Sequence, residues 1–429
     1  MTMPMPARRP VATAPVVAAA ALVAAGVAFA APAWATNGYF SHGQGPKSQG
    51  MAGAGTAMEV SPIASAMNPA LGQKAGNIAG GCAEVFMPER DATLGGTKYE
   101  SDNTFFAIPC AGVNTRLDDR SSLGLTLIGN GGMNTDYDPI PAFGTSGAGV
   151  DLAQAMIGIN YAREVGGGLS LGVMPMLAYQ RFKATGLENF TGPAGTPFQR
   201  SLSPDRVTNN GYDGSWGYGV RLGALWEVND MVSFGAAYKS RTYMTRFDKY
   251  EGLFAERGDF DIPPSVRAGV AVKPVPEVTV ALDYERIFYG DVKSISNTGA
   301  AGQGGCFTSP GALLGTDEGC GFGWQDMDVW RIGVEWQATP QLALRTGYSV
   351  NSGFADGQEV AFNILAPATI KQHASVGLTY AFNPTWGLSA AYTRAFSESL
   401  SGNSPTLGGA PVTLRMDQHI GSVGVSYRW

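Results

Sequence analysis

The chain has 429 residues, 44% hydrophobic and only 15% charged, against roughly 25% charged in an ordinary soluble domain. Glycine supplies 59 residues without a Gly-X-Y period, about twice its usual ~7% share, which excludes collagen. Aromatic residues at 10% exclude disorder, a mean hydropathy of −0.03 excludes a bundle of membrane helices, and a net charge of −6 leaves no basic face for nucleic acid.

At the N-terminus, Arg8 and Arg9 precede an uncharged Ala/Val-rich run from Val11 that ends in Ala33-Trp34-Ala35. A positive start, an apolar centre and an A-x-A end predict a cleaved export signal over residues 1–35. An uncleaved membrane anchor is the alternative. The next segment, 36–76, shows no alternation. It carries Gly43, Gly45, Gly50, Gly53 and Gly55 and closes on the turn Asn68-Pro69-Ala70, where Pro fixes φ and Asn bonds its own backbone. Its glycine run faintly suggests a nucleotide loop but lacks the preceding strand such a loop needs. Small, weakly charged residues suit a plug, or hatch, packed against the polar walls of a barrel.

From residue 77 to the end the pattern has period two. Ala374, Val376, Leu378, Tyr380 and Phe382 alternate with Ser375, Gly377, Thr379 and Ala381, and Trp330, Ile332, Val334 and Trp336 with Arg331, Gly333, Glu335 and Gln337. Strand geometry sends the two sets to opposite faces. Fourteen such segments fall near 77–87, 101–113, 120–129, 151–163, 168–182, 215–227, 231–246, 263–273, 277–290, 327–338, 341–351, 370–382, 385–397 and 414–429. Short turns such as Asn383-Pro384 alternate with long links over 130–150, 183–214, 247–262, 291–326, 352–369 and 398–413. An apolar face edged by Trp226, Trp336, Tyr348, Trp386 and Trp429, opposite a Gly/Ser/Ala/Thr face, predicts an all-β fold: a 14-stranded antiparallel transmembrane β-barrel of the outer membrane, spanning 77–429. Trp429 ends the last segment in an aromatic, which resembles the C-terminal signal by which outer-membrane barrels are recognised for assembly, so the barrel assembly machinery is an expected partner; a core aromatic at a terminus is the alternative.

Cys82, Cys110, Cys306 and Cys320 meet an oxidising compartment, so two disulfides are expected. Neighbour pairing is the simplest of three connectivities. No C-x-x-C occurs and no His lies near, so no metal site or cofactor is expected. Met174 and Met176 share an inward face and either line an apolar site or fill space beside the hatch. Arg221, Arg267, Asp283, Glu285, Arg331, Glu335 and Arg345 also point inward. They either pair to hold wall to hatch, or one of Arg267, Arg331 and Arg345 receives a ligand carboxylate. Phe190, Phe198, Leu253 and Phe254 on the long links are candidates for a ligand-capture groove, with loop packing as the alternative. The third segment runs into Gly129-Asn130-Gly131-Gly132, and glycine within a strand marks a bulge or kink.

Thr36-Asn37-Gly38-Tyr39-Phe40, the run Lys47–Gly55, Asn68-Pro69-Ala70, Ile262-Pro263-Pro264-Ser265-Val266-Arg267 and Leu344-Arg345-Thr346-Gly347-Tyr348 resemble the FadL/TodX outer-membrane transporters across essentially the whole mature chain. The resemblance implies a monomeric barrel with an N-terminal hatch, embedded in outer-membrane lipids. It implies passive uptake of long-chain fatty acids or other hydrophobic compounds, including aromatic hydrocarbons. It also implies capture between outer loops, a gating role for Asn68, Pro69 and Ala70, and lateral release at a kink carried by Gly129, Gly131 and Gly132. The two cysteine pairs depart from the family pattern. The rivals are a general diffusion porin, which would lack the hatch, and an outer-membrane lipolytic enzyme, for which His42, His373 and His419 sit in no nucleophile motif.

Overall fold

The computed structural model describes residues 37–302 and 306–429; the export signal expected over 1–35 lies outside the described residues. Fourteen strands form the wall: β1 (Ile78–Leu94), β2 (Phe106–Arg116), β3 (Ser121–Pro139), β4 (Gly147–Gly166), β5 (Leu169–Thr185), β6 (Asp213–Glu227), β7 (Val232–Lys239), β8 (Ser265–Val275), β9 (Val278–Ile287), β10 (Met327–Gln337), β11 (Leu342–Asn351), β12 (Gln372–Ala381), β13 (Trp386–Ser404) and β14 (Ala410–Arg428). Each pairs antiparallel with its chain neighbour. β14 pairs back with β1 from Ile78↔Arg428 to Leu94↔Val412, which closes the barrel. Closure follows from the solvent, since an unpaired N–H or C=O in hydrocarbon costs several kcal/mol.

Alternation assigns the faces. Ile332, Val376, Leu378 and Val425 lie exposed on the outer surface, edged by Trp226, Trp336, Trp386 and Trp429. The strands outrun the expected segments at the long-link end. β3 continues through Pro139 and β4 begins at Gly147, so the link expected over 130–150 shrinks to 140–146. The expected link 398–413 is likewise mostly strand. Conversely, the segment expected over 231–246 stops at Lys239. The reason is that apolar alternation records only the lipid-facing length. Beyond it the strands serve loops: Thr135 donates to the Leu365 carbonyl at 2.8 Å.

Residues 37–76 thread the interior. They form short helices at Gly45–Gln49 and Leu71–Ala75, joined by tight turns. Their seat is made by glycines on the inner face of the wall. A Cβ at Gly112 would strike Pro62, at Gly172 Pro69, at Gly235 Thr56, at Gly347 Met51 and at Gly377 Gly50. Missing side chains on the wall therefore let plug backbone touch strand backbone. Ala52, Ala54, Ala57, Ala70 and Leu71 are fully enclosed as a result. Replacing Gly347 by Val should force the Met51–Ala52 backbone off the wall, at an overpacking cost of about 1–3 kcal/mol. The expected outcome is a folded barrel with raised ion conductance in planar bilayers, because the displaced segment no longer seals the lumen; unchanged conductance would count against this seat.

Candidate functional site

The ladder between β2 and β3 is interrupted. β2 pairs with β3 only from Ala111↔Leu127 to Arg116↔Ser122. The upper part of β2, Ala107–Cys110, keeps β1 as a neighbour and lies beyond the last β3 pairing, at Ala111. On β3, Asn130 is an extra residue, since Gly129 faces Ala155 and Gly131 already faces Gln154. Such a bulge bends its strand. The bent strand finds another partner in the plug: Gly131 bridges to Phe40, and the Gly132 N–H donates to the Tyr39 carbonyl at 3.0 Å. Gly131 must lack a side chain, because a Cβ there would collide with that carbonyl. The Tyr289 hydroxyl donates to the Asn37 carbonyl at 2.6 Å, fixing the start of the plug from the other side.

A chain of amides leads away from the bulge. The Asn130 amide donates to Gln154 at 2.8 Å, the Gln154 amide to Gln180 at 2.9 Å, and the Gln180 amide to the Phe260 carbonyl at 2.9 Å. Phe260 lies in the long link 240–264 and its ring packs on Tyr39, as do Tyr289 and Trp324. Kink, plug and outer loops therefore meet around Tyr39. In the same link, burial, with Asp261 and Glu256 alongside, pushes the Asp259 carboxyl up to about 6.

The inward charges divide into two jobs. Asp283 on β9 accepts from the backbone N–H groups of Gly55 and Thr56, both at 3.0 Å, and from the Thr56 hydroxyl at 2.6 Å. Arg267 donates to the Gly53 carbonyl at 3.0 Å. Arg345 is held within the wall by Glu335 and Thr379. Arg331, buried, pairs with Glu285 at 2.7 Å. A second group faces a cavity of about 50 Å³ lined by Phe40, Asn130, Arg221, Lys239, Arg267 and Glu285, among others. Three cations there face one carboxylate, and the buried Nε atoms of Arg221 and Arg267 have no hydrogen-bond partner. Lys239 lies 3.8 Å from the Phe40 ring centroid, a cation–π contact. On the short-turn side a larger cavity of about 280 Å³ opens, lined by polar groups including Lys47, Glu59, Glu335 and Arg345.

The other expected residues fall as follows. Asn68 is fully buried; its amide donates to the carbonyls of Thr56 at 2.9 Å and Ala224 at 3.0 Å, and its oxygen accepts from the Ala70 N–H at 3.0 Å. It thus ties the plug to itself and to β6, with Pro69 seated over Gly172. Met174 and Met176 are buried in the interior, Met174 lying over Gly158. The exposed groove expected of the loop phenylalanines is not present in this conformation. Phe190 is buried against Phe143 and Phe362, Phe254 against Phe182 and Phe260, and Leu253 is half-buried beside them. Apolar loop residues gain more by covering one another than by facing water. Phe198 alone stays exposed, at 76%. Disulfides join Cys82 to Cys110 and Cys306 to Cys320. Sequence reasoning missed Asn114, which donates to the Gly72 and Gly76 carbonyls, and Asn160, which donates to the Pro69 carbonyl. The available signal was asparagine at inward strand positions, where it is otherwise depleted.

A closed antiparallel barrel with an apolar exterior, an internal plug and an interrupted β2–β3 ladder is an integral outer-membrane transport channel. The chain belongs to the family described as outer membrane protein transport protein (OMPP1/FadL/TodX), whose sequence model matches residues 17–429. This family consists of transporters of hydrophobic compounds. The fold is shared with the Pseudomonas putida toluene transporter TodX (18% identity, TM-score 0.67, covering 90% of this chain and 99% of that one). It is shared too with a Pseudomonas aeruginosa FadL homologue (16%, 0.66, 91% and 99%) and the Ralstonia pickettii toluene transporter TbuX (17%, 0.65, 90% and 99%). No curated protein is close enough in sequence to match.

Replacing Asn68 by Ala removes three hydrogen bonds that all serve the plug, at about 1 kcal/mol each. The expected outcome is a clear loss of uptake with little change in barrel melting temperature, since no wall ladder is touched; parallel loss of both would make Asn68 a plain structural turn.

Proposed function

We propose that the chain takes up hydrophobic compounds passively and releases them sideways into the membrane between β2 and β3. The interrupted β2–β3 ladder carries this reading. A greasy solute gains nothing from the polar cavity on the short-turn side, whereas the gap opens directly to hydrocarbon. The plug holds the gap through Tyr39 and Phe40, so a ligand that displaces residues 37–43 frees β3 at the same moment. Capture starts at the loops, where Phe198 is already exposed. The chain acts as a monomer placed in the membrane by the barrel assembly machinery.

For the substrate, the cation-rich cavity favours a hydrocarbon chain ending in a carboxylate, as in long-chain fatty acids. Arg221 and Lys239 supply charge there without an ion pair of their own among the described residues. A second reading, a neutral monoaromatic hydrocarbon, rests on the ring cluster of Tyr39, Phe260, Tyr289 and Trp324 and on the structural likeness to toluene transporters. Uptake of dodecanoic acid and toluene by a deletion strain expressing the chain separates the two. The double change Arg221→Gln and Lys239→Gln should lower acid uptake roughly tenfold, the equivalent of ~1.4 kcal/mol, and leave toluene uptake alone. Equal effects on both, or none on the acid, would favour the neutral substrate.

Gly132→Phe places a ring in the gap. Uptake should fall roughly tenfold while the protein keeps the heat-modifiable electrophoretic mobility of a folded barrel. Parent-level uptake in the folded variant would refute the lateral route.

A further inference from the structure

We propose that the Cys82–Cys110 disulfide fixes one side of the lateral opening and so limits the girth of the molecule that passes it. The proposal rests on the lateral-release reading. Three features place the bond in that role.

The first is position. Cys82 and Cys110 stand directly opposite one another in the β1–β2 ladder, with Cα atoms 4.9 Å apart. The next residue, Ala111, is the last on β2 with a partner on β3. The bond therefore sits where the β3 pairing of β2 ends and the β1 pairing continues.

The second is the quality of the ladder it crosses. Around the bond, Ala79, Gly80, Gly81 and Ala83 face Val113, Gly112, Ala111 and Pro109. Glycine weakens a strand, and proline brings no N–H. Cross-strand side-chain contacts, the usual source of sheet cohesion, are nearly absent here. The β1–β2 seam is thus the next line along which the wall would part once β2 has lost β3. A covalent link across it confines the opening to β2–β3.

The third is contact with the plug. The bond lies on the inner side, lining a small cavity with Gly45, Pro46 and Ile63, and a Cβ at Gly45 would stand 3.5 Å from the Cys82 sulfur. An outward swing of β2 would also pull Gly112 from beneath Pro62. The disulfide keeps that seat in place while β3 moves, so the aperture has a fixed β2 side and a mobile β3 side.

The test compares two carboxylic acids of different girth, dodecanoic acid and adamantaneacetic acid, taken up by cells expressing the full chain. In the Cys82→Ser/Cys110→Ser variant the ratio of bulky to slim acid taken up should rise roughly tenfold, with barrel mobility on gels unchanged. The variant Cys306→Ser/Cys320→Ser, which lacks the outer-loop disulfide, should keep the parent ratio. For a variant that fails to assemble, dithiothreitol is applied to assembled protein carrying only the Cys82–Cys110 bond. It leaves two protein thiols and the oxidised cyclic reagent, and the same rise is expected. An unchanged ratio in the folded variant or the reduced protein overturns the proposal. Uptake of neither acid by the parent overturns the acid-transport reading, and this proposal falls with it.

Discussion

Every backbone N–H and C=O in a wall bathed by hydrocarbon must find a partner within the protein. Most seams among the described residues meet that demand by strand pairing, including the closing β14–β1 seam, and along upper β6 residues 240–245 bond in place of β7. The β2–β3 seam does not, and the rest of the architecture is arranged around that shortfall. β3 bends inward at Asn130 and takes its missing pairing from Tyr39 and Phe40 of the plug. On the proposed lateral route, displacing residues 37–40 would leave this wall segment without that pairing.

The plug is held by means that differ along its length. Over its middle and end the contact is close and multiply bonded: wall glycines admit its backbone, Asp283 receives three bonds from Gly55 and Thr56, and Asn68 reaches β6. At its start, residues 37–40, the hold combines the kink, the Tyr289 hydroxyl, a bond from the Asn351 amide to the Asn37 side chain, the Lys239 contact with the Phe40 ring and a packing of rings. This end is the one at the gap, beside the cation-rich cavity, so it is the part of the plug that a ligand using the proposed lateral route would meet.

Much of this was legible in the residues. Period-two alternation located all fourteen strands, and the motif Asn68-Pro69-Ala70 marked a turn that is fully buried at the wall. Gly129–Gly132 marked the bulge because glycine inside a strand weakens pairing. What was not legible depends on partners distant in sequence. Nothing in Tyr39 announces that its carbonyl serves Gly132. Phe190 and Phe254 have the composition of an exposed capture surface, yet neighbours from other loops cover them. The extra length of β3 and β4 escaped because polar residues beyond the lipid band carry no alternation. The cysteines suggested disulfides, but only the register shows that Cys82 and Cys110 flank the gap.

The central claim is that the solute leaves through the wall rather than along the axis. It is tested most directly by tying the gap shut after assembly. Cysteines introduced at Ile108 on β2 and Gly132 on β3 can be joined by a bifunctional maleimide, with the unreacted double-cysteine protein and the reagent-treated parent as controls. The account predicts that the bridged protein loses uptake while both controls retain it. Uptake at the parent rate through a bridged wall would contradict it.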